Sequence, residues 1–591
     1  MEERKESRRQ QQVPAQRRLP LQSLTLSDRA RRWAAALVPP AAYVLLTIIA
    51  AWPVVTQLDG VIIGNDTDVY INLWADSWTL WALQDPQRAF WTTDLLFYPQ
   101  GADLHYHSFS HLTTAVSLAL RPFLGALPAY NVTILGHLVL AALAMYHFAR
   151  YLTGSAGAAF LAGLIFAFNW HNQWQTCHPV LVSIWPLPWA ALFLLQAVER
   201  LSYRRALVAA FFVLLASLNS TLILILAALW LGFILFLALA TGRLTRAALP
   251  VLIVFGLAGA ALAALPLLPL LREALLADNT TFVIGDSYSL PTDALAVIQP
   301  HWLGTLGRSL HFGVGGMLLL GAALFTLRRS WPWFLLLILT FLFAIGPQPM
   351  VGGETVDVTL PWSYAVRPLL RHTYRLNVIL SGALAVLAAY GWLALAAGVT
   401  RLPRLPADAR RSLQWALALL LGVLIVAEYT HPPFPRRTPQ VSAFYTEFLD
   451  DVPDDVALAI LPTGRQEDKA YMYYQTLHGH PITGGVISRP TDDVFTLIRS
   501  NSLLRAGALN WSPVPLPPDA GPALRQLADV GVGYVVLDKA NFAQSGLDLA
   551  QWRETMPGAP VYEDELVVVF STGSFPVVEP AGAIAEFQSL R

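Results

Sequence analysis

What most constrains this chain is a recurring pattern: about eleven long apolar runs, separated by turns of which every second one carries arginine. The runs fall near 33–56, 131–149, 157–168, 179–197, 206–218, 221–240, 247–270, 313–327, 331–345, 376–397 and 413–427. A straight helix needs roughly 20 apolar residues to cross a bilayer. The longer runs therefore read as spans, and the shorter ones as spans with indistinct ends. Alternate turns hold Arg150, then Arg200, Arg204 and Arg205, then Arg243 and Arg246, then Arg328 and Arg329, and last Arg401, Arg404, Arg410 and Arg411. Basic residues gather on the cytoplasmic side of multi-pass proteins. The pattern thus predicts a cell-membrane protein with a cytoplasmic N-terminus and everything after the last run on the outside.

Composition agrees. Charged residues are 13% of the chain, against about 25% in soluble domains, and mean hydropathy is +0.49. Net charge is zero, so no overall field favours nucleic acid. The single cysteine, Cys177, excludes an intramolecular disulfide and a cysteine-built zinc site.

The expected organisation has four parts. Residues 1–33 form a disordered basic cytoplasmic tail, too long and polar for a cleavable signal. Residues 34–429 form the helical membrane module, with long outer loops at 57–130, 271–312 and 346–375. An amphipathic stretch in the first loop, 111–124, suits the membrane interface. Residues 430–440, containing HPPFPRRTP, are a linker. In 441–591, the β-like runs 456–461, 532–537 and 566–570 alternate with helix-compatible stretches. That segment reads as a soluble extracytoplasmic α/β domain.

Five constellations lie on the outer side. GNDTDVYINLW (64–74) places Asp66 and Asp68 two residues apart, on one face of an extended segment. Such carboxylates can serve as a general base or hold a divalent metal; Asn, Asp and Thr also close turns and cap helices. YPQGADLHYHSFSH (98–111) offers His105 and His107, either as metal partners of Asp66 and Asp68 or as a polar loop edge. NWHNQWQTCHP (169–179) brings His171, Asn172, Gln175 and His178, which suit a sugar site or an ordinary aromatic loop. YAVRPLLRHTYRL (364–376) sets Arg367, Arg371 and Arg375 at every fourth residue beside His372, against the charge bias of the other outer loops. If helical, they share a face, and guanidinium groups fork around phosphate. MYYQTLHGHPITGGVISRP (472–490) carries His478 among glycines, in a segment that can cover the membrane site.

The order of these pieces resembles the GT-C superfamily of membrane glycosyltransferases. It is similar in particular to bacterial proteins related to the YfhO and protein-mannosyltransferase groups. The likeness rests on GNDTDVYINLW, on YPQGADLHYHSFSHLTTAVSLAL (98–120) and on the run 129–168. It continues in RHTYRLNVILSGALAVLAAYG (371–391) and HGHPITGGVISRP (478–490), and it covers most of the chain beyond Trp33. The resemblance implies transfer of a sugar from a polyprenyl-phosphate carrier to a cell-envelope acceptor on the outer face of the membrane. Asp66 or Asp68 would be the base or metal ligand, and Arg371 and Arg375 would hold the lipid phosphate. Some of these families carry an Asp-Glu pair where this chain has Asp-Thr-Asp. Two competing classes are a flippase for polysaccharide precursors and a non-catalytic envelope scaffold. A flippase calls for ionisable residues within the spans and paired repeats, whereas these spans are nearly free of charge and show no repeat.

Overall fold

The computed structural model describes residues 28–276, 290–299, 309–365, 370, 372–402, 405–430 and 434–573. Most of the basic tail, Arg367 and Arg371 lie outside them. Every apolar run carries a helix. Among the described residues seven helical stretches are long and apolar enough to cross a membrane: Ala126–Thr153, Pro179–Arg200, Thr221–Ala240, Arg246–Leu275, Gly313–Ala344, Thr373–Thr400 and Ala407–Tyr429. The difference from about eleven has a structural origin. The runs at 313–327 and 331–345 fall within one helical stretch that reverses at Leu324–Thr326, since Val314 meets Glu428 and Ala344 meets Thr373 on the same side of the bundle, while Ala36–Ala50, Ala156–Phe168 and Tyr203–Asn219 are shorter. Ala156–Phe168 is nearly all buried, so protein rather than lipid surrounds it.

Helix Asn377–Thr400 is the axis of the bundle, buried continuously from Asn377 to Trp392. Gly391 makes this possible: a Cβ there would lie 1.9 Å from the Leu319 carbonyl oxygen. Small residues let membrane helices approach backbone to backbone in this way. At the other extreme, Arg246–Leu275 and Ala407–Tyr429 are only 17% and 22% buried, as befits helices on the lipid-facing rim.

The first long loop contributes two helices. Asp68–Gln84 starts on an acidic residue, which favours the positive end of the helix dipole. It stops at Asp85, held extended before Pro86. His111–Leu124 matches the amphipathic stretch read from the sequence. It buries Leu112, Thr113, Thr114 and Ser117 and exposes Val116, Phe123 and Leu124. Its polar side faces protein and its apolar side faces outward, as an interfacial helix requires.

The C-terminal region forms a four-stranded mixed sheet in the order Ala457–Leu461, Val532–Asp538, Val567–Ser571, Tyr562–Glu563. The first pair is parallel and the others antiparallel. Alternation of side chains gives the sheet two apolar faces. Ala459, Leu461, Val535, Leu537 and Phe570 pack on the region's own helices. Leu458, Ile460, Tyr534, Val536 and Val569 share a core with Trp74, Trp78, Leu95, Leu96 and Phe97 of the first loop. The sheet and the loop therefore form one body. Two further contacts weld it. Arg436–Arg437, in the Pro-rich segment, pairs antiparallel with Ile62–Ile63. Gln475, fully buried, accepts from Trp74 Nε1 (2.7 Å) and donates to the carbonyls of Leu95 (2.6 Å) and His480 (3.0 Å).

Removing that amide strands the Trp74 donor and the His480 carbonyl, and leaves the Leu95 carbonyl with only its bond from the Ile482 N–H. Gln475→Ala should lower stability by about 1–3 kcal/mol. Limited proteolysis should then release the C-terminal region sooner than in the wild type, and unchanged resistance would contradict the shared core.

Candidate functional site

The site begins at Gly64. Its φ of +126° is open to glycine, and a Cβ would lie 2.8 Å from the Cys177 Cα. Asn131 anchors this turn to helix Ala126–Thr153. Its Oδ1 accepts from the Ile63 N–H (2.9 Å), and its amide donates to the carbonyls of Leu58 (2.8 Å) and Val61 (2.7 Å). The next residues are Asp66, Thr67 and Asp68, all half-buried.

Asp68 is engaged at both oxygens. Oδ1 meets Lys469 Nζ at 2.6 Å and Oδ2 meets His178 Nε2 at 2.7 Å. Lys469 stands in the first turn of helix Glu467–His478, with a side chain only 6% exposed. His178 comes from the segment between helices Ala156–Phe168 and Pro186–Arg200, and the Cys177 Sγ lies 3.1 Å from its other nitrogen. Asn72 locks the same junction, donating to the carbonyls of Asp68 (2.8 Å) and Cys177 (3.0 Å). Gln466 Oε1 accepts from Thr67 Oγ1 (2.9 Å) and Lys469 Nζ (3.0 Å), and Thr67 also reaches Asp66 Oδ1 at 3.2 Å. The first loop, the 169–178 loop and the C-terminal region thus converge on one carboxylate.

Electrostatics fix the state of Asp68. Burial alone would raise the pKa of Asp68, but the hydrogen bond and charge of His178, with those of Lys469, hold it well below the ordinary carboxylate range. For His178, burial opposes the charged ring. The Cys177 sulfur and the Asp68 carboxylate outweigh it and raise the pKa well above the usual value. A carboxylate so stabilised is a weak base. Its chemistry is that of an anchor.

The other residues named from the sequence are dispersed. His105 Nδ1 bonds Asp103 Oδ1 at 2.7 Å, and its ring stacks on Trp91. His107 is enclosed by Trp74 and Phe109; burial, then Arg465 and His111, push its pKa down to about 4. The structure does not gather Asp66 and Asp68 with either imidazole. Hairpin geometry carries His105 away to Asp103, and apolar packing encloses His107. The group of potential metal ligands among the described residues is instead Asp103, His105 and Glu273, whose ligand atoms lie within 4.8 Å of one another.

His171 joins a second cluster, with Asn377 at 3.4 Å and the Tyr374 ring at 5.9 Å. Asn377 in turn accepts from Thr292 Oγ1 at 2.8 Å, and His372 stacks on Tyr374 while its Nδ1 accepts from the Leu290 N–H. Arg375 lies in this cluster's segment, its Nε shielded and without a hydrogen-bond partner among the described residues. At the described end of the Arg367, Arg371 and Arg375 segment, His372 is extended and Thr373–Leu376 is a short 3₁₀ turn. Arg367 and Arg371 themselves lie outside the described residues. His478 lies at the end of helix Glu467–His478, stacked on Tyr445.

Lys469 and Gln466 escaped the sequence reading. A signal existed: among 39 basic residues the chain has three lysines, Lys5, Lys469 and Lys539. A lysine in so arginine-rich a chain marks a place where a compact point charge is needed.

No family model matches this chain, and no curated protein matches it. Solved structures do. The arabinofuranosyltransferase AftD from Mycobacteria is 17% identical with a TM-score of 0.57, covering 93% of this chain and 40% of its own. ArnT from Cupriavidus metallidurans bound to undecaprenyl phosphate is 13% identical with a TM-score of 0.48, covering 93% of this chain and 100% of its own. The oligosaccharyltransferase AglB from Archaeoglobus fulgidus, in complex with an inhibitory peptide and a dolichol-phosphate, is 13% identical with a TM-score of 0.43. That match covers 87% of this chain and 70% of AglB. The likeness to AftD shows the fold of this chain. The chain spans well under half the length of AftD.

The pH behaviour of the Asp68 junction follows from the two shifts. The depressed Asp68 contributes stability above the free carboxylate pKa of about 4, lost as pH falls through its folded value. The raised His178 contributes fully below about pH 6.5, and this is lost as pH rises through its folded value. The melting-temperature gap between wild type and Lys469→Met plus Asp68→Asn should therefore peak between about pH 4 and 6.5. A gap independent of pH would refute the assignment.

Proposed function

We propose that this protein is a membrane glycosyltransferase that moves a sugar from a polyprenyl-phosphate donor to an envelope acceptor on the extracytoplasmic face. The observation that carries this reading is the convergence, on a GT-C fold, of the first-loop carboxylates with His178 and Lys469. The arginine pattern of the turns supports a cytoplasmic N-terminus, with the site and the C-terminal region outside.

In this reading the acceptor hydroxyl attacks the anomeric carbon while the bond from that carbon to the phosphate oxygen breaks. The pair of electrons leaves with the lipid phosphate, and the hydroxyl proton passes to a base. Asp66 is the base. It adjoins the anchored Asp68 and is tied to it through Thr67, Gln466 and Lys469. Asp68 fixes the loop and keeps Lys469 and His178 in place. Charge developing on the departing phosphate needs cations aimed at it. Arg375 supplies one, with Arg367 and Arg371 as further members of the same grip and His372 beside them. His171 is fully buried against Asn377 and would support this segment from behind rather than meet the sugar.

Transfer from a radiolabelled polyprenyl-phosphate sugar, measured in proteoliposomes, tests this. Asp66→Asn should cut turnover by about 10²–10⁴-fold while leaving the melting temperature unchanged. Arg375→Ala should raise the KM for donor. Full activity in Asp66→Asn would exclude the mechanism.

A further inference from the structure

A trough runs along the seam between the first loop and the C-terminal region, at the opposite end of helix Asp68–Gln84 from the anchored carboxylate. The 17 residues of that helix place it roughly 25 Å from Asp68, at 1.5 Å per residue. Its larger chamber measures about 740 Å³ and a second about 610 Å³; they share Asp85, Arg88 and Asp94 and so adjoin. Each chamber falls within the range of small-molecule sites, and together they admit a chain of several units.

The walls are preformed. Backbone hydrogen bonds cross the seam from Ile482 to Leu95 (2.9 Å), Tyr98 to Ile482 (3.0 Å) and Phe97 to Gly484 (3.0 Å). Across this fixed gap the loop presents Asp94, and the C-terminal region presents Asp454 and Asp455. None of the three has an ion pair among the described residues, and Asp85 has only Arg88, at 3.9 Å. Carboxylates gathered from two segments repel, and folding gains nothing from them. Trp81 and Tyr98 also line the groove. So does His478, whose Nδ1 accepts from the His480 N–H.

These groups define the ligand by chemistry. The excess of carboxylates repels phosphates, so the trough is not a second donor site. Hydroxyl groups both donate, to Asp94, Asp454 and Asp455, and accept, from Arg88. Aromatic faces at Trp81 and Tyr98 suit the apolar C–H face of a sugar ring. We propose that the trough binds an uncharged oligosaccharide. Its role as the far end of the acceptor glycan rests on the glycosyltransferase reading; the binding itself does not.

Full-length protein in nanodiscs would be titrated with neutral pentasaccharides of hexose and pentose type, followed by saturation-transfer NMR. Binding should weaken at least tenfold in Trp81→Ala and in the double variant Asp454→Asn plus Asp455→Asn. The double variant should melt at the same temperature or higher, because repulsion is relieved. Asp66→Asn should bind as the wild type does, which separates this site from the transfer reaction. The proposal is overturned if no pentasaccharide binds, if both variants bind unchanged, or if a basic peptide binds in preference and competes the sugar away.

Discussion

Everything on the loop side of this molecule depends on one ion pair, Lys469 to Asp68. The lysine side chain is almost wholly buried, and an ammonium withdrawn from water needs a counter-charge at close range. Asp68 supplies it, and its second oxygen engages His178. Such a pair adds little net stability over an apolar alternative, yet breaking it is costly because a buried charge is left alone. Its effect is positional. Three segments far apart in sequence are held in one register, and Asp66 is fixed beside them.

The division of labour between Asp66 and Asp68 follows from the same pair. Two carboxylates two residues apart are chemically alike in the chain. Once Lys469 and His178 engage one of them, that one becomes an anchor. The neighbouring segment makes the arrangement rigid, since Asn72 and Asn131 consume its backbone carbonyls in hydrogen bonds. A base held this way loses little freedom on meeting a substrate.

The shared core gives the C-terminal region a second role. Its sheet buries one face against its own helices and the other against loop tryptophans, so it cannot drift over the membrane site on a tether. Lys469 at one end of helix Glu467–His478 and His478 at the other are delivered by a single rigid element. The anchored aspartate and the seam trough are thereby kept at a fixed separation.

The sequence by itself determined the membrane module, because hydrophobic length and arginine asymmetry are properties of contiguous residues. It also determined the interfacial helix at 111–124, the strands near 457–461, 532–538 and 567–571, and the prominence of Asp66 and Asp68. It left open the conformation of the 364–376 segment, where Thr373–Leu376 makes a 3₁₀ turn. Only the tertiary structure decided that His178 rather than His105 or His107 meets Asp68. It alone brought in Lys469, 401 positions further along the chain, and fused the first loop with the C-terminal sheet. The physical reason is range. Periodicity and charge bias act over a few residues, whereas a buried ion pair is selected by what the packed fold brings within 3 Å.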